Sequence, residues 1–109
     1  MSSRGNFCQL WLTCENTIEA DTIAQALLDK HLIACAKQTS VNSNYWWKGQ
    51  KEHNEEVLLV MDSREDLFEK VEKEVLKLHS YETPVLQALP ILKLSKAATA
   101  WLEETIKHG

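Results

Sequence analysis

The chain has 109 residues, of which 44% are hydrophobic and 26% are charged. This length favours one domain, over residues 1–109, with a single hydrophobic core. The 12 Lys and Arg and the 16 Asp and Glu residues give a net charge of -4, which excludes the basic surface typical of proteins that bind nucleic acids or anionic membranes. No nucleic-acid or membrane partner is therefore expected.

The first part of the chain predicts a strand followed by a helix. Both alternating faces of residues 7–14 are substantially apolar, with Trp11 on one of them, which is typical of a strand covered on two sides. Residues 16–32 then predict a helix, because Asn16 and Glu19 have the spacing of a capping box. Three residues form the apolar stripe of this helix: Ile23, Leu27 and Leu28.

The middle of the chain predicts a long β-hairpin. Residues 33–48 are rich in β-branched and aromatic side chains and lack a helical stripe. Gly49 then marks a turn, and the apolar run at residues 57–61 predicts the returning strand.

Two further helices and a strand complete the predicted order. A helix is predicted from Ser63 to near His79, because residues ahead of Pro84 are sterically directed away from helical conformation. Residues 84–91 predict a strand and residues 95–107 a final helix. The predicted buried stripes are Leu67, Val71, Val75 and Leu78 in the first of these helices, and Ala98, Trp101 and Leu102 in the second.

The order β-α-β-β-α-β plus a C-terminal helix predicts an α+β fold, the ferredoxin-like split βαβ sandwich. Helices cover one face of a four-stranded antiparallel sheet in this fold and leave the other face open. The open face or the sheet edges are expected to bind copies of the same chain, because exposed aromatic residues would otherwise form a large apolar patch. The predicted interface residues are Trp11, Tyr45, Trp46 and Trp47.

The sequence also favours a reducing, cytoplasmic location. The first residues, MSSRGNFCQLWLTC, contain an apolar stretch that is too short and too polar for a signal peptide, and no apolar run reaches membrane-spanning length. The three cysteines are odd in number and lack Cys-x-x-Cys spacing, so neither a disulfide framework nor a zinc finger is predicted.

Several stretches in register resemble the CutA family, also called divalent-cation tolerance proteins. They are LWLT, LLDKHLIACA, NYWWKGQ, EEVLLVM, HSYETPVLQALPI and AWLEE, and together they span nearly the whole chain. The resemblance implies a ferredoxin-like fold, a compact homotrimer around a threefold axis and a cytoplasmic location in bacteria. It also implies an association with copper or another divalent cation.

For metal binding, the resemblance points to Cys35 and His79 as ligands. Leu12 fills the position of the family's first-strand cysteine, with Cys14 two residues further on, and Val85 stands where the family commonly has glutamate. Two ligands leave the remaining positions of a copper ion to water or to a neighbouring chain, so weak binding is expected. No cation is expected to be required for folding.

The same residues have other interpretations. Cys35 fits a small core residue, and His79 fits a structural cap at a helix C-terminus, where the helix dipole favours it. Because Pro84 prevents the helix from continuing, Tyr81 and Glu82 are expected to line the rim of this junction between subunits.

The functional hypothesis is a trimeric metal-response protein for divalent-cation (copper) tolerance that binds metal weakly and is not an enzyme. The chain has no Gly-rich phosphate loop and no Ser-His-Asp order. The alternative is a PII-like trimeric signalling or scaffold module with a small ligand in the clefts between subunits. The expected partner is the chain itself, and the sequence indicates no downstream partner.

Overall fold

The computed structural model describes residues 6–106. In chain order the elements are β1 (Phe7–Cys14), α1 (Thr17–Asp29), β2 (Cys35–Trp47), β3 (Gln50–Arg64), α2 (Phe68–Leu78), β4 (Leu86–Pro90) and α3 (Lys96–Thr105). All three strand pairings are antiparallel, and the strand order in the sheet is β2-β3-β1-β4. This order confirms the predicted ferredoxin-like α+β fold.

The core lies between one face of the sheet and the helices. Alternation along β1 buries Cys8, Leu10, Leu12 and Cys14 completely on this face. From α1, Ile23 and Leu27 pack into the same cluster with no exposed surface, together with Val71 and Val75 of α2. The opposite face of the sheet, which carries Trp11, is called the open face below.

The predicted capping residues Asn16 and Glu19 both cap the start of α1, with the second bond one residue earlier than in a standard capping box. The side chain of Asn16 accepts a hydrogen bond from the backbone N–H of Glu19 at 2.9 Å. The side chain of Glu19 in turn reaches back and accepts the backbone N–H of Glu15 at 2.9 Å. Two backbone donors at the helix N-terminus are satisfied in this way, which fixes the position of the Glu19 carboxylate.

The predicted start of the second helix at Ser63 is wrong. Ser63 is still part of β3, where it pairs with Cys8, and its buried hydroxyl donates to the carbonyl of Leu32 at 2.7 Å. A short 3-10 helix, Glu65–Leu67, follows the strand before α2 begins at Phe68. Pairing with β1 therefore prevails over the polar character that suggested a helix start.

Two residues of the predicted helix stripes are exposed. In α2, Leu78 is 38% exposed, because His79 continues the buried stripe of Val71 and Val75 at the next i+4 position. In α3, Trp101 is 44% exposed, because the buried pair is formed by Leu102 and Ile106. The predicted final helix extended to Lys107, which lies outside the described residues.

The hairpin of β2 and β3 extends beyond the end of β1 as a two-stranded arm. The arm comprises residues 41–47 and 50–56, in a register that runs from Val41↔Glu56 to Trp47↔Gln50, so it is about 20 Å long. Its turn has positive φ at both central residues, Lys48 (50°) and Gly49 (81°), as a two-residue hairpin requires.

The register divides the predicted aromatic cluster between two faces. Tyr45 and Trp47 lie on the open face with Trp11, whereas Trp46 lies on the opposite side of the arm and is 70% exposed. The indole N–H of Trp11 donates to the side chain of Gln9 at 3.3 Å. That these four aromatic residues form an interface between subunits stays a prediction.

Candidate functional site

Three potential metal ligands converge where the sheet meets the ends of two helices. Cys14 is the last residue of β1, Glu19 lies in the first turn of α1, and His79 caps the C-terminus of α2. The thiol sulfur, one carboxylate oxygen and one imidazole nitrogen all lie within 4.8 Å of one another. This group is called the donor cluster below.

Both nitrogens of His79 already have hydrogen-bond partners. Nε2 lies 2.9 Å from the carbonyl oxygen of Thr13, and the backbone N–H of Tyr81 donates to Nδ1 at 3.0 Å. Because a carbonyl only accepts, the two contacts together define a neutral imidazole with its proton on Nε2. The side chain has 0% exposure, so His79 ties the end of α2 to the end of β1.

The Glu19 carboxylate also uses both oxygens. Oε1 accepts the N–H of Glu15, and Oε2 accepts the backbone N–H of Ser80 at 2.7 Å. Burial acts to raise the pKa of Glu19, but the hydrogen bonds from Glu15 and Ser80 prevail and hold the pKa below its ordinary value. Glu19 is therefore ionised at neutral pH.

Cys14 is a protonated thiol at neutral pH. Its burial, followed by the negative charges of Glu19 and Glu56, raises the pKa of the thiol to about 12. Because the thiolate is the form that binds metal ions, a cation bound here must displace the thiol proton.

The segment that follows α2, residues 79–84, connects the donor cluster to the arm and is called the junction segment below. The hydroxyl of Tyr81 donates to Oε2 of Glu56, a residue of the arm that is only 7% exposed, at 2.6 Å. Burial, and then this hydrogen bond, raise the pKa of Tyr81 above its ordinary value. The carboxylate of Glu82 lies 3.8 Å from the ammonium group of Lys48 in the turn of the arm. Because both side chains are about 70% exposed, this ion pair contributes little to stability.

The donor cluster fits a divalent cation of intermediate softness. The distance between His79 Nε2 and Glu19 Oε1 is 3.7 Å, close to the separation of about 3.4 Å expected for tetrahedral ligands at about 2.0–2.1 Å from Zn²⁺. Thiolate and imidazole are ligands that suit both zinc and copper. The fit requires that Nε2 of His79 give up its bond to the carbonyl of Thr13 and that the Cys14 thiol lose its proton.

The structure does not bring the predicted ligands Cys35 and His79 together within one chain. On β3, Cys35 pairs with Asp62 whereas Cys14 pairs with Val57, so the two cysteines lie five residues apart along the sheet, about 17 Å. The neighbour of the Cys35 sulfur is instead Lys37, whose ammonium donates to it at 3.3 Å. That Cys35 and His79 bind a metal ion stays a prediction.

Two features of the sequence could have identified the donor cluster. Strand alternation places Cys14 on the core side at the very end of β1, and the capping box places Glu19 on the first turn that follows. The family resemblance instead selected Cys35 and His79, and it marked Leu12 and Val85 as departures from the family's ligand positions. Leu12 is a fully buried core residue, and Val85, which follows the junction segment, is 53% exposed.

A second polar feature lies between the start of α1 and the arm. It is an open cleft of about 400 Å³ with a largely acidic and polar lining. The lining residues are Glu15, Asn16, Thr17, Ser40, Val41, Asn42, Glu55, Glu56 and Val57.

The fold and the donor cluster define a small split βαβ protein with a candidate divalent-cation site at the junction of sheet and helices. None of the helices within residues 6–106 is long and apolar enough to cross a membrane. The sequence matches the CutA1 divalent ion tolerance protein family over residues 8–105, and the chain belongs to that family.

Individual proteins agree with this assignment. The divalent-cation tolerance protein CutA of Archaeoglobus fulgidus is 35% identical over 98 residues, covering 90% of this chain and 96% of the relative. The corresponding protein of Thermotoga maritima is 32% identical over 97 residues, 89% of this chain and 96% of its own. The solved structure of the A. fulgidus protein has a TM-score of 0.90 at 34% identity and covers 93% and 99% of the two chains. It is described as periplasmic, so the comparison does not confirm the predicted cytoplasmic location.

Proposed function

We propose that this CutA-family protein contributes to divalent-cation tolerance by binding the ion itself, without catalysis, at Cys14, Glu19 and His79. The observation that carries the proposal is the convergence of a thiol, a carboxylate and an imidazole within 4.8 Å. Three protein ligands leave a further coordination position to water or to a neighbouring chain, as in many open metal sites.

Copper and zinc are the cations that the donor cluster suits best. A thiolate and an imidazole favour these ions over Mg²⁺ and Ca²⁺, which prefer oxygen ligands, and Cu²⁺ binds nitrogen and sulfur donors more tightly than Zn²⁺ does. The copper association implied by the family resemblance is compatible with this chemistry.

Binding is expected to be weak, and folding is not expected to require the ion. Hydrogen bonds to Thr13, Ser80 and Tyr81 satisfy the imidazole and the carboxylate without a cation. An incoming cation must replace some of these bonds and displace the proton of the Cys14 thiol.

Calorimetric titration with Zn²⁺ and Cu²⁺ tests the proposal on the parent chain and on two serine variants. Cys14→Ser should abolish or greatly weaken binding, whereas Cys35→Ser should leave the affinity unchanged. Both changes replace one thiol by a hydroxyl group of similar size, so each is the control for the other. The opposite pattern would place the site at Cys35 and contradict the proposal.

The protein is further proposed to act as a homotrimer. Support comes from the open face with Trp11, Tyr45 and Trp47, and from an arm that extends well beyond the end of β1. Such a surface favours association with further copies, because exposed apolar patches of this kind usually mark interaction sites. Light scattering at micromolar concentration should give the mass of three chains, and a monomeric mass would contradict this part of the proposal.

A small-ligand signalling or scaffold module is the second candidate, favoured by the cleft beside α1. Because Glu15, Glu55 and Glu56 contribute carboxylates to its lining, the cleft suits a cationic ligand such as an amine. A screen of small metabolites by thermal shift, in the presence of a chelator, separates this function from ion binding.

The three free thiols fit a reducing compartment such as the cytoplasm, the location proposed for the chain.

A further inference from the structure

One of the atoms that would bind the cation, Nε2 of His79, also holds the junction segment closed. Nε2 of His79, which lies 3.7 Å from the carboxylate of Glu19, is the nitrogen that bonds to Thr13. The second oxygen of that carboxylate holds the backbone N–H of Ser80. A cation bound between Nε2 and Oε1 therefore replaces the bond of His79 to Thr13, whereas the bond of Oε2 to Ser80 can remain.

Cation binding would also change the tautomer of His79 and thereby break its contact with Tyr81. When Nε2 binds a cation, it carries no proton, so the proton of the neutral imidazole must move to Nδ1 through solvent. At present Nδ1 accepts the backbone N–H of Tyr81 at 3.0 Å. Two N–H groups cannot share a hydrogen bond, so the contact between Tyr81 and His79 must break.

The release of Tyr81 would reach the arm. The hydroxyl of Tyr81 donates to Glu56, which is nearly buried and belongs to β3 beyond the last residue that pairs with β1. The junction segment thus links the donor cluster at one end to the base of the arm at the other. The arm carries Tyr45 and Trp47, which the proposed trimer uses.

We propose that cation binding at the donor cluster and the closed junction segment exclude each other, so that the cation releases Tyr81 from His79 and Glu56 and changes the surface at the base of the arm. This inference rests on the proposed function and adds a means by which ion binding changes the contacts between the junction segment and the arm. Under this scheme the cation selects the open junction, and its apparent affinity is reduced by the small fraction of molecules that are open.

The substitution Tyr81→Phe tests the coupling because it leaves all three ligands in place. It removes the hydrogen bond to the Glu56 carboxylate and keeps the ring that packs on His79 at a centroid distance of 4.7 Å. Loss of a hydrogen bond to a charged group should shift the equilibrium towards the open junction, and Zn²⁺ should bind about tenfold more tightly. A role of Tyr81 in holding the ion would instead weaken binding.

Tyr45→Phe is the matched control. Tyr45 lies on the arm and accepts a hydrogen bond from Asn54, so the same hydroxyl is removed without a bond to the junction segment being lost. Its affinity for Zn²⁺ should equal that of the parent. An equal gain in both variants would show a general loosening of the arm and would overturn the inference.

Amide hydrogen exchange on the parent protein, measured by NMR with and without Zn²⁺, provides a test that needs no variant. The amide of Tyr81 should exchange faster when Zn²⁺ is bound, because its acceptor, Nδ1 of His79, then carries a proton. Slower exchange at this amide would show that the ion reinforces the closed junction, which contradicts the inference.

The outcomes separate the inference from the proposed function. Zn²⁺ binding that is absent, or that survives Cys14→Ser, overturns both. Zn²⁺ binding that depends on Cys14, with an unchanged or weaker affinity in Tyr81→Phe, leaves the proposed function intact and overturns the coupling alone.

Discussion

Replacing His79 by alanine should destabilise the protein even when no metal ion is present. The change leaves the carbonyl of Thr13 without its donor and the N–H of Tyr81 without its acceptor. An unsatisfied buried group costs about 1–3 kcal/mol, and water can reach the partly buried Thr13, so the expected loss of unfolding free energy is about 2–4 kcal/mol. Urea unfolding in the presence of EDTA, at one fixed chain concentration, measures this loss.

His53→Ala is the control for this measurement. His53 is exposed on the arm, where its Nδ1 lies 2.8 Å from the side chain of Asn44, and its removal should change the unfolding free energy by less than about 0.5 kcal/mol. If His79→Ala were as stable as His53→Ala in EDTA, the structural role derived for His79 would be refuted. A loss seen only after addition of metal would point to a ligand role alone.

Three further predictions concern the pH dependence, the assembly and the fold. The pKa of Glu19 is held below its ordinary value of 4.5, so its stabilising contribution should be fully present above that pH. This contribution should disappear as pH falls through the folded-state pKa. Urea unfolding of the parent and of Glu19→Gln in EDTA should therefore show a difference in unfolding free energy that shrinks as pH falls. Trp47→Ala should dissociate the proposed trimer in light scattering at concentrations where Trp46→Ala does not, because only Trp47 lies on the open face; equal effects would contradict this assignment. Ser63→Ala should lower the unfolding free energy measured in urea by about 1–3 kcal/mol, because it leaves the buried backbone carbonyl of Leu32 without its donor. An unchanged unfolding free energy would contradict a buried hydrogen bond at this end of β3.

Most of the fold could be predicted from the sequence because local signals and packing agree. Alternation along β1 and the capping box at Asn16 and Glu19 each determine a structure that the tertiary fold then uses. The boundary at Ser63 was wrong because pairing with β1 is a long-range contact that local composition does not encode. The exposed position of Trp101 depends in the same way on which side of a short helix faces the sheet.

The candidate site was predictable only in part. His79 stood out because it lies between a helix stripe and a proline, and the structure places it in the donor cluster. Its neighbours come from distant parts of the chain, and their meeting depends on the antiparallel register that brings the end of β1 to the end of α2. A motif-based choice of ligands selected Cys35, because sequence spacing alone does not show that β2 begins at the far end of the sheet from His79.

The location of a bound ion is the most direct test of the proposed cation site. Crystals of the protein soaked with copper, measured at the copper absorption edge, would show the position of the ion by anomalous scattering. Ion binding at the donor cluster predicts an anomalous peak between the sulfur of Cys14, the carboxylate of Glu19 and the imidazole of His79. A peak at Cys35 or at the exposed carboxylates of the arm, with none at the donor cluster, would contradict it.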